Sequence, residues 1–460
     1  MVKIILNFKW LLIISLAGLI ILSCKDQNLA GDTNSSLSDV AETSTQEFPD
    51  SNLEDSNNPD SENSENSSER DISALNEISN ETAWSLFGFR GLTPPEEPII
   101  VQEVSQEFLG RILNEYISTS GMDTVYEEDE RLYKFLGFLE PEDKLKNIYI
   151  DVMAEQIPGL YSLKTGIIHI VADHKQISIS DALLLAFVQG LAMQENHFQI
   201  ANQHFSYLMN RDTLLAIDSL SIGDSLLSIG FYGSNRFPEA NIDELQINKS
   251  GDVFENSPTI VQQLFLFPFT FGIEFVHSLR LLGGWGEVNG AYTDLPKSST
   301  EIIHPQKYIE GFNPEVISIN NFSRRLPDNW EFIQDGVWGE FLLLLWLGSN
   351  LDGENAAKAS TGWLGDRYVL IQNENSGDQA IAFATQWESN SEADEFVQLL
   401  SDSFKNSDFD MSTSTGKGVL NQPIKRFFEI KRNKARVLLI VSTDEDSAEL
   451  LMKKFDQVMN

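Results

Sequence analysis

Residues 181–205 constrain the fold of this chain more than any other segment. Their composition predicts a helix that is apolar nearly all round, through Leu183, Leu184, Leu185, Phe187, Val188, Leu191 and Met193. A surface helix buries one stripe and wets the other, so a helix without a wet face has to sit in the middle of a domain. Ser178, Ser180 and Asp181 stand at its start as capping candidates. A chain of 460 residues, 42% of them hydrophobic, is long enough to cover it. Two further helices are expected at 213–231 and 260–282, the second broken by Gly283-Gly284, and 336–347 is again strongly apolar.

The flanking segments read as a mixture of elements. Val101, Val104, Phe108, Ile112 and Leu113 have helical spacing, and 155–171 reads as a strand, a glycine turn and a second strand. The last hundred residues change pattern. Strands at 366–372 and 380–387 precede a helix at 392–404, and strands at 425–431 and 436–442 precede one at 446–458. A β-β-α unit occurring twice predicts a small antiparallel layer. The expected class is α+β: a mainly helical domain with a small sheet at 83–355, and a C-terminal ββαββα subdomain at 356–460.

Before residue 83 the chain is of another kind. Lys3 and Lys9 flank a mildly basic start, 10–22 is apolar and uncharged, and the run ends in Ile21-Leu22-Ser23-Cys24. A small residue before a cysteine, directly after an apolar core, has the form of a bacterial lipoprotein cleavage site, so 1–24 is expected to be a signal peptide and Cys24 the lipid acceptor. The competing reading is an uncleaved transmembrane anchor with Cys24 incidental. Either one places the chain in the cell envelope, tethered to a membrane and facing outside the cytoplasm. Cys24 is the single cysteine, so no intramolecular disulfide forms. Residues 25–82 are rich in Ser, Asn, Asp and Glu and are expected to be a disordered acidic tether, with an acidic binding tail as the alternative. The net charge of −37 repels a polyanion and argues against a nucleic-acid partner.

Five segments then occur in a recognisable order: Glu155-Gln-Ile-Pro-Gly-Leu-Tyr-Ser, Phe267-Pro-Phe-Thr-Phe-Gly-Ile-Glu-Phe-Val, Gly283-Gly-Trp-Gly-Glu-Val-Asn-Gly-Ala-Tyr, Pro296-Lys-Ser-Ser-Thr-Glu-Ile-Ile-His-Pro-Gln-Lys-Tyr and Gly362-Trp-Leu-Gly-Asp-Arg-Tyr. Together they resemble a family of extracytoplasmic bacterial proteins of the zinc metallopeptidase type, whose active-site helix reads His-Glu-x-x-His-Ala-Leu-Gln-Asp-Gln-His-Phe. The resemblance implies a zincin-like core. It also implies where the chemistry would sit. Aligned on Gln194, His197 and Phe198, the two metal-binding histidines fall on Phe187 and Leu191, and the general base falls on Val188. The third ligand, from a Glu-Gly-Asp-Ala motif, falls on Ile222. Hydrocarbon side chains have no lone pair to give a zinc ion. No metal and no cofactor are therefore expected.

Other constellations are weaker. Of the six histidines, His197 reads as a structural residue near a helix end, and His277 as a core or boundary residue. His169 and His174 have no partner at ligand spacing, and His204 shares the long helix with His197 and Glu195, the last two residues being two apart and so on nearly opposite sides. His304, with Glu301, Asp224 and the Gly283-Gly284-Trp285 turn, forms a possible cleft, while the simpler reading of His304-Pro305 is a fixed turn. Trp285, Tyr292, Trp338, Trp346 and Trp363 serve either a sugar- or peptide-binding groove or, more simply, the core. The leading functional expectation is a pseudo-metallopeptidase that binds or scaffolds a peptide or an envelope protein. The rivals are a hydrolase with its active site relocated around His304, and a purely structural envelope lipoprotein.

Overall fold

The computed structural model describes residues 72–95, 97–157, 159–171, 178–207, 210–239, 251–403, 408–410, 415–420 and 424–456. The expected signal segment, Cys24, most of the tether and His174 lie outside them. The longer helices are α1 (Ile72–Arg90), α2 (Gln106–Thr119), α3 (Met122–Leu136), α4 (Leu145–Gln156), α5 (Ile179–Phe198), α6 (Arg211–Arg236), α7 (Ile273–Gly283), α8 (Gly339–Gly348), α9 (Asn390–Ser403) and α10 (Glu445–Phe455). The helical part carries strands β1 (Val101–Glu103), β2 (Gly159–Ser162) and β3 (Ile167–Ile170). These pair in the order β1-β3-β2, parallel then antiparallel.

Helix α5 is buried as its composition demands. A capping box closes its start: Ser178 Oγ accepts the Asp181 N–H at 3.1 Å, and Asp181 accepts the Ser178 N–H at 2.8 Å. It packs against α1, α6 and β2. The helix ends earlier than expected. Gln199 turns left-handed at φ 51°, and a separate short helix, Ile200–Phe205, follows. The segment 260–282 is interrupted too. Pro268 has no N–H for the helical ladder, and Thr259–Phe267 passes through a π-helical turn, Pro268–Gly272, into α7.

The contact of α6 with this turn is a backbone contact. A Cβ placed on Gly223 would collide with the Gly272 carbonyl, and one placed on Gly272 would collide with the Ser219 carbonyl. On the other side of α6, a Cβ on Gly190 of α5 would stand 2.8 Å from Ser225 Oγ. Three helical layers therefore approach through positions that admit nothing larger than hydrogen. Residues Arg211–Arg236 and Thr259–Gly283 are long and apolar enough to cross a membrane, but 67% and 61% of their apolar windows are buried inside the fold. Their place in the core accounts for that apolarity.

Two expectations at the front of the domain need correction. The expected tether at 25–82 overlaps α1, which already begins at Ile72. Leu75, Leu86 and Phe87 of α1 are buried, and Gln189 of α5 donates to Ser79 Oγ at 2.6 Å. Apolar residues at helical spacing outweigh the polar average of that stretch. Val101, expected on a helix, lies in β1 instead. Its N–H donates to Asn76 Oδ1 at 2.9 Å, and the Val104 N–H bonds Ile170 O at 2.8 Å, which holds the segment extended until Ser105 caps α2.

The C-terminal sheet has seven antiparallel strands in the order β4-β5-β6-β10-β9-β8-β7: β4 (Trp330–Gly336), β5 (Trp363–Asn373), β6 (Gln379–Trp387), β7 (Asp408–Asp410), β8 (Thr415–Leu420), β9 (Arg426–Asn433) and β10 (Arg436–Ser442). The four expected strands are its centre. The boundary expected at 356 cuts through it, because β4 belongs to the sheet and comes earlier in the chain. Side chains alternate across β10. Val437, Leu439 and Val441 join α9 and the helical domain, whereas Leu438 and Ile440 join Leu451, Met452 and Phe455 of α10. The sheet is thus covered on both faces, once by its own helix and once by the body of the protein.

Gly223→Ala is expected to destabilise the protein by about 2–3 kcal/mol, the scale of an overpacked core. Gly286→Ala, at a helical glycine with open space around its Cβ position, should be neutral or slightly stabilising. Urea unfolding followed by circular dichroism measures both.

Candidate functional site

The positions that the resemblance assigns to zinc chemistry lie in one apolar cluster. Phe187 and Val188 are buried members of it, and Leu191, Ile222 and Phe269 pack against it. The rings of Phe187 and Phe269 stack at 6.3 Å and 23°. Each large apolar side chain buried here contributes about 1.5–3 kcal/mol to stability, and none offers a lone pair. Among the described residues, no group of three or more His, Cys, Asp or Glu is arranged to hold a metal ion. A zinc ion does not fit these residues. Strand β2 presses on the same cluster: a Cβ on Gly159 would stand 3.2 Å from Val188 and 3.4 Å from Leu184.

The expected cleft of His304, Glu301 and Asp224 does not form as one site. Asp224 is fully buried in an ion pair with Arg90, and it also accepts the Tyr292 hydroxyl at 2.8 Å. Arg90 reaches Asn289 Oδ1 at 2.5 Å and lies 4.5 Å over the Trp285 ring, while Tyr292 stacks on Phe198 at 4.2 Å. This network ties α1 to α6, and its carboxylate is fully committed. Glu301 is the return half of a capping box and accepts the N–H groups of Lys297 at 2.5 Å and Ser298 at 2.9 Å. His304, at the end of that short helix, pairs through Nε2 with Glu340 Oε1 of α8 at 2.9 Å. Glu340 was not legible as its partner, since the two lie far apart in sequence. His197 bonds Thr93 O at 2.7 Å, a structural contact. Of the aromatics, Tyr292, Trp338, Trp346 and Trp363 are core residues.

Around Glu301 lies a set of buried acids at the junction of the helical domain and the sheet. Asp366 on β5 accepts the N–H groups of Trp338 and Gly339 at the start of α8, each at 2.9 Å, and Trp363 Nε1 at 2.9 Å. Asp212 on α6 accepts the Ser299 N–H at 3.1 Å and lies directly against Gly339, whose φ of 73° and lack of a side chain make room for it. Burial raises the Asp212 carboxyl to about 8, helped by the charges of Asp366 and Glu301. Burial likewise raises Glu301 to about 7 and Asp366 to about 6, against the opposing effect of the N–H groups they accept. Asp212 Oδ2 has no hydrogen-bond partner among the described residues, consistent with a neutral acid. Asp366 joins the sheet to α8, while Asp212 and Glu301 hold the 297–299 segment, with the Ser299 and Ser298 hydroxyls beside them.

An open recess lies elsewhere, at the C-terminal end of α5. A cleft of about 410 Å³ is lined by Tyr161 and Leu163 from the β2–β3 hairpin and by Glu195, Asn196, Gln199 and Asn202. The left-handed turn at Gln199 positions its floor, with the Ala201 N–H donating to Glu195 Oε2 at 2.9 Å. The lining is amide, carboxylate, phenol and hydrocarbon. It is equipped to bind and lacks an activated group for chemistry. Of these six residues only Glu195 stood out in the sequence, as a neighbour of His197 two positions away and so unable to share a metal with it.

Residues 329–452 match a family model described as "Domain of unknown function (DUF8575)", which spans the C-terminal sheet from the start of β4 nearly to the end of α10. No curated protein and no solved structure matches the chain.

The buried acids generate a pH prediction. A carboxyl raised above its unfolded value near 4 binds its proton more tightly in the folded state, so its stabilising contribution falls as pH rises through the folded value. For Asp212 that loss runs from about pH 4, the unfolded value, to about pH 8 and levels off above it. Urea midpoints are expected to fall across this interval in the wild-type chain. Asp212→Asn should flatten the slope, and an unchanged slope in that variant would exclude the assignment.

Proposed function

We propose that this protein is a lipid-anchored extracytoplasmic binding protein, built on the frame of a zinc metallopeptidase without its chemistry, that holds an extended peptide in the cleft beside β2. Three features support the reading. The zinc and base positions carry Phe187, Leu191, Ile222 and Val188. The segment ending in Cys24 has the form of a lipoprotein signal. The third feature carries most weight and concerns the edge of the small sheet.

Strand β2 is an edge strand, and the direction of its backbone groups follows from its neighbours. The Ile168 N–H bonds Ile100 O, and Ile170 O accepts the Val104 N–H, so residues 168 and 170 turn their backbone groups toward β1. Residues 167 and 169 therefore turn theirs toward β2, where they meet Ser162 and Leu160. By alternation, the N–H and C=O of Tyr161 point away from β3, along the rim of the cleft that its side chain helps to line. A peptide strand laid along this edge gains backbone hydrogen bonds while its side chains enter the cleft. A second reading, a hydrolase around His304, draws on the imidazole held by buried Glu340. It calls for peptide or ester cleavage that disappears in His304→Ala.

Two measurements test the proposal. Elemental analysis of the purified full chain should find far less than one zinc per chain, and tight stoichiometric zinc would refute the loss of the metal site. Peptide binding, followed by fluorescence anisotropy, should weaken in Tyr161→Pro, which removes the outward N–H at an edge position that tolerates proline. Tyr161→Phe should retain it.

A further inference from the structure

Resting on that reading, we infer that the cleft selects a peptide with a basic residue: a lysine or arginine at the position paired with Tyr161, its cation meeting Glu195. In an antiparallel pairing, the ligand residue opposite Tyr161 exchanges both backbone hydrogen bonds with it, and the two side chains fall on the same face of the sheet. The face that the Tyr161 ring occupies is known from its surroundings. Tyr161 and Glu195 line the same cleft, and the Tyr161 phenol is raised first by burial and second by the charge of Glu195. The ligand side chain therefore enters beside that carboxylate.

The charges around the cleft favour a cation there. Among the lining residues Glu195 is the sole charged group, and its Oε2 accepts the Ala201 N–H while Oε1 has no partner among the described residues. The amides of Asn196, Gln199 and Asn202 supply carbonyl acceptors around it. The nearest cation of the hairpin turn, Lys164, is engaged by Glu115 at 2.6 Å. His197 faces away, toward Thr93. A ligand cation thus enters a negative potential with no competing positive charge in the lining, on a chain whose net charge is already −37.

The experiment compares three short end-blocked peptides of alternating valine and serine with lysine, glutamine or glutamate at the centre, titrated against the full chain. The lysine peptide is expected to bind about tenfold more tightly than the glutamine peptide, the scale of one charge-assisted hydrogen bond, with the glutamate peptide weakest. Glu195→Gln should abolish that ranking, with the lysine and glutamine peptides binding alike. Asn202→Lys, which leaves the Glu195 turn intact, should weaken the lysine peptide selectively. Equal binding of all three peptides would overturn the charge selection and leave peptide binding standing. Absence of binding by every peptide would overturn both.

Discussion

The structure depends on how closely α5, α6 and the Pro268–Gly272 turn approach one another. Gly190 against Ser225, and Gly223 against Gly272, bring the layers together at distances that a single methyl group would prevent. This proximity covers a helix that is apolar nearly all round, and it gathers Phe187, Val188, Leu191 and Ile222 into one cluster. In a zinc enzyme the same convergence would serve a coordination sphere. Here it serves dispersion and hydrophobic burial, with Gln189 and Gln194 of α5 bonded to Ser79, Ser221 and Ser225 around the cluster.

The polar groups lie in the surrounding layers. Arg90 and Asp224 form a buried pair that is acceptable only because Tyr292, Asn289 and Trp285 complete its surroundings. Asp366 receives the first N–H groups of α8, and Asp212 receives the Ser299 N–H beside them. Asp366 thereby docks α8 to the sheet, and Asp212 ties α6 to the 299 segment, both through backbone N–H groups. Because they are buried among like charges, their protons become part of the structure.

Function, on this view, moves from the centre of α5 to its end. Apolar side chains fill the positions that the resemblance assigns to a metal, while the left-handed turn at Gln199 and β2, an edge strand among the described residues, flank a polar recess a little further along. On the proposed reading an extended ligand is held by backbone groups, which substitutions in the Phe187 cluster do not remove.

Local pattern determined much of the secondary structure. The four central strands of the sheet, helices α9 and α10 and the buried character of α5 follow from periodicity and capping residues that act within a few positions. The apolar content of the zinc and base positions is likewise written in the sequence. Tertiary structure decided the rest. Strand β4 looks like part of the helical domain until β5 offers it hydrogen bonds, and α1 looks like tether until its few apolar residues meet α5. Asp224, Glu301 and His304 seemed a single cleft, yet Arg90, Ser298 and Glu340 claim them separately. The Glu195 recess depends on one left-handed residue and on the outward turn of Tyr161. Pairing partners far apart in the chain set such features, and no local pattern encodes them.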